Sequence, residues 1–170
     1  MEYSELIKNR YTVRDFKPDA IPQDILEKIL TAGQLAPTAC NKQPQQIYIV
    51  RKPELIQKMR GITQCAYNAP VILILAGRKS EGWVNPFDNK DSTETDVSIV
   101  ATHMMLAAAD LNVGSTWVGW ADLERIKKEF DLPSDVAVYG LLNLGYPSDA
   151  SVPAPQHSDR KPLNETVAEL

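Results

Sequence analysis

A chain of 170 residues, 44% hydrophobic and 24% charged, is long enough for one domain with a real core and has the composition of an ordinary globular protein. Its formal net charge of -4 argues against nucleic acid as a partner, since that role calls for a basic patch, and no run of like charge makes a tail. The longest apolar run, Val71 to Ala76, falls far short of the ~18 residues of a membrane span; the first residues lack the features of a signal peptide, and two isolated cysteines, Cys40 and Cys65, read as free thiols, so a cytoplasmic setting without membrane contact is expected.

In chain order, residues 3–9 make a short helix candidate with Leu6 and Ile7 apolar. A second helix is expected from Pro22 to about Ala36. Proline suits its first position because the missing N–H has no partner there anyway, and Pro37 stops it. Ile25, Leu26, Ile29, Leu30 and Leu35 give it an apolar face. Ile47 to Val50 reads as a strand, Glu54 to about Arg60 as a short helix, and Val71 to Ala76 as a buried strand. The strongest pattern predicts a helix from about Glu94 to Asn112, with Thr93 and Asp96 as a capping pair. Val97, Val100, Ala101, Met104, Ala108 and Leu111 recur at helical spacing. Ile99, Met105, Leu106 and Ala107 make much of the rest apolar, which points to a subunit interface.

A short strand, Ser115 to Val118, follows. Asp122 caps a helix carrying Leu123, Ile126 and Phe130, and Val136 to Leu144 is a long strand. From Pro147 onward, four prolines forbid a regular helix, and the extended tail is expected to wrap another surface such as a partner subunit. About four strands and five helices make a single α+β domain over residues 1–170.

Common catalytic signatures are missing. The chain has no G-x-G-x-x-G, no phosphate loop, no H-E-x-x-H and no G-x-S-x-G. His103 lies in the apolar helix and His157 in the tail, and two lone histidines make no metal site. Four segments stand out instead. Arg10-Tyr11-Thr12-Val13-Arg14 sets two guanidinium forks around a hydroxyl, a donor set for phosphate oxygens, or simply a solvated turn. Ala36 to Pro44 joins a helix to a strand. Its small residues would let a flat ligand approach the backbone, and Asn41 and Gln43 bring amides suited to a heterocycle edge; a polar turn between prolines is the plain alternative. Gly114 to Trp120 carries Gly119, where backbone can face a ring, beside Trp117 and Trp120, which serve equally as core or interface aromatics. Ser158-Asp159-Arg160-Lys161-Pro162 adds late positive charge.

Taken together and in this order, these segments resemble the nitroreductase family across nearly the whole chain. The resemblance runs from Arg10, Thr12, Arg14 and Phe16, through Ala36-Pro37-Thr38 with Asn41 and Gln43-Pro44, to the Ala-rich helix ending at Leu111-Asn112-Val113-Gly114. It continues in Ser115 to Gly119 and closes with Leu144-Gly145-Tyr146-Pro147 and Arg160. It implies an α+β fold, with a mixed or antiparallel sheet flanked by helices, in an intertwined homodimer holding FMN at the interface. By similarity Arg10, Tyr11, Thr12 and Arg14 bind the phosphate and ribityl end, with Arg160, and less strongly Lys161, returning from the tail. Pro37, Thr38, Ala39 and Asn41 approach the ring from the other subunit, and Val118 and Gly119 lie near its reactive side. Gln64 and Asn68 are candidates for the pyrimidine end.

The chain is short for this family. The insertion that often covers substrate is not obvious, and Gly119 stands where many members carry an acidic residue. The implied activity is hydride transfer from NADH or NADPH through flavin N5 to a small acceptor such as a nitroaromatic, a quinone or another flavin, with no side-chain nucleophile or base. A non-catalytic flavin carrier, a structural dimer, and a dehalogenase or flavin-fragmenting relative are the alternatives. A redox role for Cys40 is weighed against an incidental small residue.

Overall fold

The computed structural model describes residues 2–170. Its elements in chain order are α1 (Tyr3–Asn9), α2 (Gln23–Gln34), β1 (Gln45–Val50), α3 (Pro53–Arg60), β2 (Val71–Arg78), α4 (Thr93–Asp110), β3 (Gly114–Val118), α5 (Leu123–Glu129), β4 (Val136–Gly145) and α6 (Leu163–Thr166). The four strands form one sheet in the order β1-β2-β4-β3, and every neighbouring pair is antiparallel.

Side chains alternate across a strand, so the continuous apolar run of β2 serves both faces of the sheet. Val71, Leu73 and Leu75 join Leu142 and Leu144 of β4 on the face covered by α2 and α4. Ile72 and Ile74 join Leu141 on the opposite face, against Ile56 and Met59 of α3, Ile126 of α5, and Val13 and Phe16 of the segment after α1. Helices on both faces leave β2 no solvent side, which is why its sequence lacks the polar alternation of a half-exposed strand. On the first face α2 crosses α4 closely at Gly33, where an added Cβ would stand 2.8 Å from Met104 Cγ.

Three local expectations change. Pro22 is the N-cap of α2, with ψ 145°, because proline fixes φ but leaves ψ free to be extended. Thr93 and Asp96 do not form a capping box. Ser92 holds the N-cap position, Asp91 Oδ1 takes the Thr93 amide at 3.1 Å, and the Asp96 carboxyl group is turned elsewhere. The proline-rich tail does contain a helical turn, α6, which begins only after Pro162 has supplied its N-cap. Asp122 caps α5 as expected, accepting from the Arg125 amide at 2.9 Å. On α4 the residues Val97, Val100, Ala101, Met104 and Ala108 are buried, while Ile99, Met105, Leu106 and Ala107 remain half-exposed in the single chain.

Candidate functional site

The first arginine segment is laid down by the end of α1. Arg10 is its C-cap, with its amide on the Leu6 carbonyl at 3.0 Å, and the chain then runs extended along β3. Thr12 bridges Ser115, the Val13 amide donates to Ser115 O at 3.1 Å, and the buried Thr116 hydroxyl donates to the Val13 carbonyl. Val13 and Phe16 are buried as anchors, which leaves Arg14 on the outside and Arg10 half-buried.

The tail returns to the same segment. Phe16 bridges Pro147, Lys17 N donates to Tyr146 O at 2.8 Å, and Ser148 N donates to Asp15 O at 3.1 Å. Lys17 pairs with Asp149 at 2.6 Å, and this hydrogen bond raises the Lys17 ammonium above its ordinary value. Further on, the Tyr11 hydroxyl donates to Ser151 O at 3.3 Å. A turn of 3-10 helix, Pro155–His157, then lays the His157 ring edge-on to Tyr11, with centroids 6.3 Å apart. The tail as far as Arg160 therefore packs on its own chain. Leu163, Val167 and Leu170 beyond it are exposed.

The result is a pocket of about 210 Å³ lined by Arg10, Tyr11, Thr12, Arg14, Ala154, Gln156, His157 and Arg160. No carboxylate lines it. Among the described residues none of these three arginines pairs with a carboxylate, whereas Arg78 and Arg125 on other faces do. Arg160 is tethered only by its own neighbourhood, Nη1 donating to Asp159 O at 2.7 Å. Three unneutralised guanidiniums with a hydroxyl suit a dianion such as a phosphate monoester. Lys161 is exposed nearby but does not line the pocket. A second hollow of about 200 Å³ shares Arg10 and Tyr11 and has apolar walls from Leu6, Val13, Val113 and Pro147.

The remaining sequence candidates are held in place by buried polar side chains. Asn143, fully buried within the apolar run of β4, donates to Cys65 O at 2.7 Å and Ala66 O at 3.3 Å. It thereby fixes a turn in which Tyr67 and Asn68 take positive φ. Such backbone is costly for residues other than glycine unless its surroundings hold it. In that turn Cys65 and then burial push the Tyr67 phenol up, and the nearby Arg14 guanidinium opposes them. Gln64 is exposed, and Asn68 lines a different hollow with Arg51 and Arg60. Thr63 donates to Trp120 O at 2.6 Å, steadying the chain beyond β3. Val118 there is buried, while a Cβ placed on Gly119 would meet nothing within 4 Å. The open space at Gly119 leaves room for a flat group.

The Pro37–Asn41 loop hangs on Asp96. This carboxyl group, 2% exposed, accepts from the Ala39 amide at 2.8 Å and from the Ser92 hydroxyl at 2.7 Å. Cys40, Asn41 and Gln43 all have positive φ, and Thr38 Oγ1 accepts the Gln43 amide at 3.1 Å. Asp96→Ala is expected to lower stability by about 2–4 kcal/mol, since two bonds to an acidic acceptor vanish together. Asp96→Asn keeps an oxygen for Ala39 and should recover most of it. Urea midpoints for the three proteins check this; an alanine variant as stable as the parent would show that the loop does not depend on Asp96.

One chain does not bring all the candidates together. Asp96 holds Ala39 near the start of α4, while Ala109 near its end lines the hollow beside Arg10. Along an α-helix those two positions are roughly 20 Å apart at ~1.5 Å per residue. Residue patterns did not single out Thr63, Asp96, Thr116, Asn143 or His157 for the site. The one available signal was polarity inside an apolar run, as at Asn143.

Comparison with known proteins gives a consistent result. A family model described as the nitroreductase family matches residues 7–66 and 60–146. The chain is similar to a nitroreductase family protein of Clostridium difficile 630 of known crystal structure. The two are 36% identical with a TM-score of 0.92, covering 99% of this chain and 98% of the other. It is 26% identical to an FMN-dependent nitroreductase of Clostridium difficile R20291, with a TM-score of 0.79 over 98% of each chain. It is also 27% identical to an NADPH-dependent oxidoreductase of Staphylococcus haemolyticus, over 89% of this chain and 67% of that one.

Proposed function

Because this chain belongs to the nitroreductase family, we propose that it is an FMN-dependent oxidoreductase, cytoplasmic and homodimeric, that takes its electrons from NADH or NADPH. The observation that carries the reading is the convergence of Arg10, Arg14 and Arg160, from opposite ends of the chain, on one pocket without a carboxylate. When bound, flavin would supply the redox chemistry, hydride transfer from a reduced nicotinamide to a small nitroaromatic, quinone or flavin acceptor.

The chain's own residues bind and orient. Arg10, Arg160 and the Thr12 hydroxyl hold the terminal phosphate, with Tyr11 alongside and Lys161 as a more distant charge. Arg14 lines the same pocket on the side toward Tyr67 and serves the phosphate and ribityl end with them. Val118 and Gly119 border the open space for the ring. Pro37, Thr38, Ala39 and Asn41 serve the site of the other subunit, since their own Arg10 lies at the far end of α4. The half-exposed apolar residues of α4 and the exposed end of the tail would be covered by that partner.

A visible spectrum tests the reading. The purified protein, supplied with FMN, is expected to hold flavin bands that bleach when NADPH or NADH is added without oxygen. Protein that takes up no FMN would end the proposal, and bands that persist with both nucleotides would leave a carrier rather than an enzyme.

A further inference from the structure

His157 carries no role in the reading above, yet it lines the arginine pocket. Its Nε2 lies 3.0 Å from the carbonyl oxygen of Lys8. A carbonyl only accepts, so Nε2 is the donor and the neutral ring keeps Nδ1 without a proton. Its plane stands at 77° to that of Tyr11, which also lines the pocket. The imidazole thus ties the tail to the end of α1, and with it the stretch that ends in Arg160.

We propose that His157 couples phosphate binding in this pocket to uptake of a proton. The inference rests on the flavin reading for the identity of the natural ligand, but the chemistry concerns any phosphate monoester. Imidazole ordinarily changes charge between about pH 5 and 8. Every other charged group lining the pocket, Arg10, Arg14 and Arg160, is a guanidinium, which keeps its charge throughout that range. The charges on the adjoining surface are the Glu5–Lys8 ion pair of α1, and Asp159 and Lys161 on either side of Arg160. When the ring gains its second proton, Nε2 keeps the Lys8 carbonyl and Nδ1 becomes a donor. A further positive charge then lies in the wall of the pocket, and the contact that holds the tail is kept.

The test is the affinity of apoprotein for FMN, read by flavin fluorescence from pH 5.5 to 8, for the parent, His157→Gln and His157→Ala. Glutamine can still donate to Lys8 O but cannot take a charge. The phosphate of free FMN titrates near pH ~6 itself, but that contribution is common to the three proteins, so the ratio of affinities isolates the histidine. Parent and glutamine variant are expected to agree within about twofold at pH 8 and to diverge to about tenfold at pH 5.5, as a charge-assisted contact requires. The alanine variant should be weaker at every pH.

The same titrations with inorganic phosphate measure the pocket without the ring. If phosphate binds with this pH signature and FMN does not, the flavin reading fails while the histidine inference stands. A parent-to-glutamine ratio that stays flat across pH with both probes overturns the inference, as does failure of the pocket to bind either one.

Discussion

Arg10→Ala is expected to weaken FMN binding by roughly 10- to 150-fold, the equivalent of about 1.5–3 kcal/mol for one charge-assisted contact. Arg10 is the arginine for which this argument is strongest. It is half-buried where Arg14 is exposed, and it lines both the polar pocket and the apolar hollow next to it. Its backbone is fixed as the cap of α1, and Val13, three residues on, is locked into the core. The guanidinium is therefore presented at little cost in ordering. No ion pair is sacrificed by the substitution, so folding should be nearly untouched. Arg125→Ala, which removes a surface pair with Glu129, is the matched control. Fluorescence titration of FMN into the apoproteins gives the comparison, and equal affinity for the parent and Arg10→Ala would remove this residue from the site.

Mixing two inactive variants should restore activity to about a quarter of the parent value. One variant is Arg10→Ala, assayed at FMN concentrations too low to load it. The other is Ala39→Trp, which leaves the Ala39 amide free to bond Asp96 but crowds the loop with a large side chain. If each site takes its arginines from one subunit and its loop from the other, every mixed dimer has one site with both lesions and one with neither. Random pairing makes half of the dimers mixed, so about one site in four is intact. The expectation follows from the length of α4, which separates the two groups of residues within a chain. Co-expression with two different tags, followed by turnover with NADPH, provides the measurement. A mixture no more active than the mean of its parents would mean that each chain builds its own site or that the sites are not shared across a dimer.

The relation between the residues and the molecule differs from one feature to another. The strand β2 and the long helix α4 were legible because burial on both sides of a sheet imposes an unbroken apolar run, and burial along a helix face imposes a period, on neighbouring residues. The capping role of Asp122 was legible for the same reason, since a cap and its amide lie within one turn. Thr93 and Asp96 had the same local signature, yet Asp96 serves Ala39, a residue 57 positions away. A capping motif states only what a side chain can reach locally. It does not state what else folding will bring within reach.

Residue patterns alone were enough for the α+β class, for the placement of the strands and main helices, and for the presence of arginines near both ends of the chain. Packing in three dimensions settled the rest: the tail turns back onto residues 8–17, Arg160 and His157 meet Arg10 there, and Asn143 and Asp96 brace strained loops from inside the core. The difference is one of range. Periodicity and caps act over a few residues, whereas a pocket is made by packing, and packing joins segments whose distance along the chain leaves no mark on either.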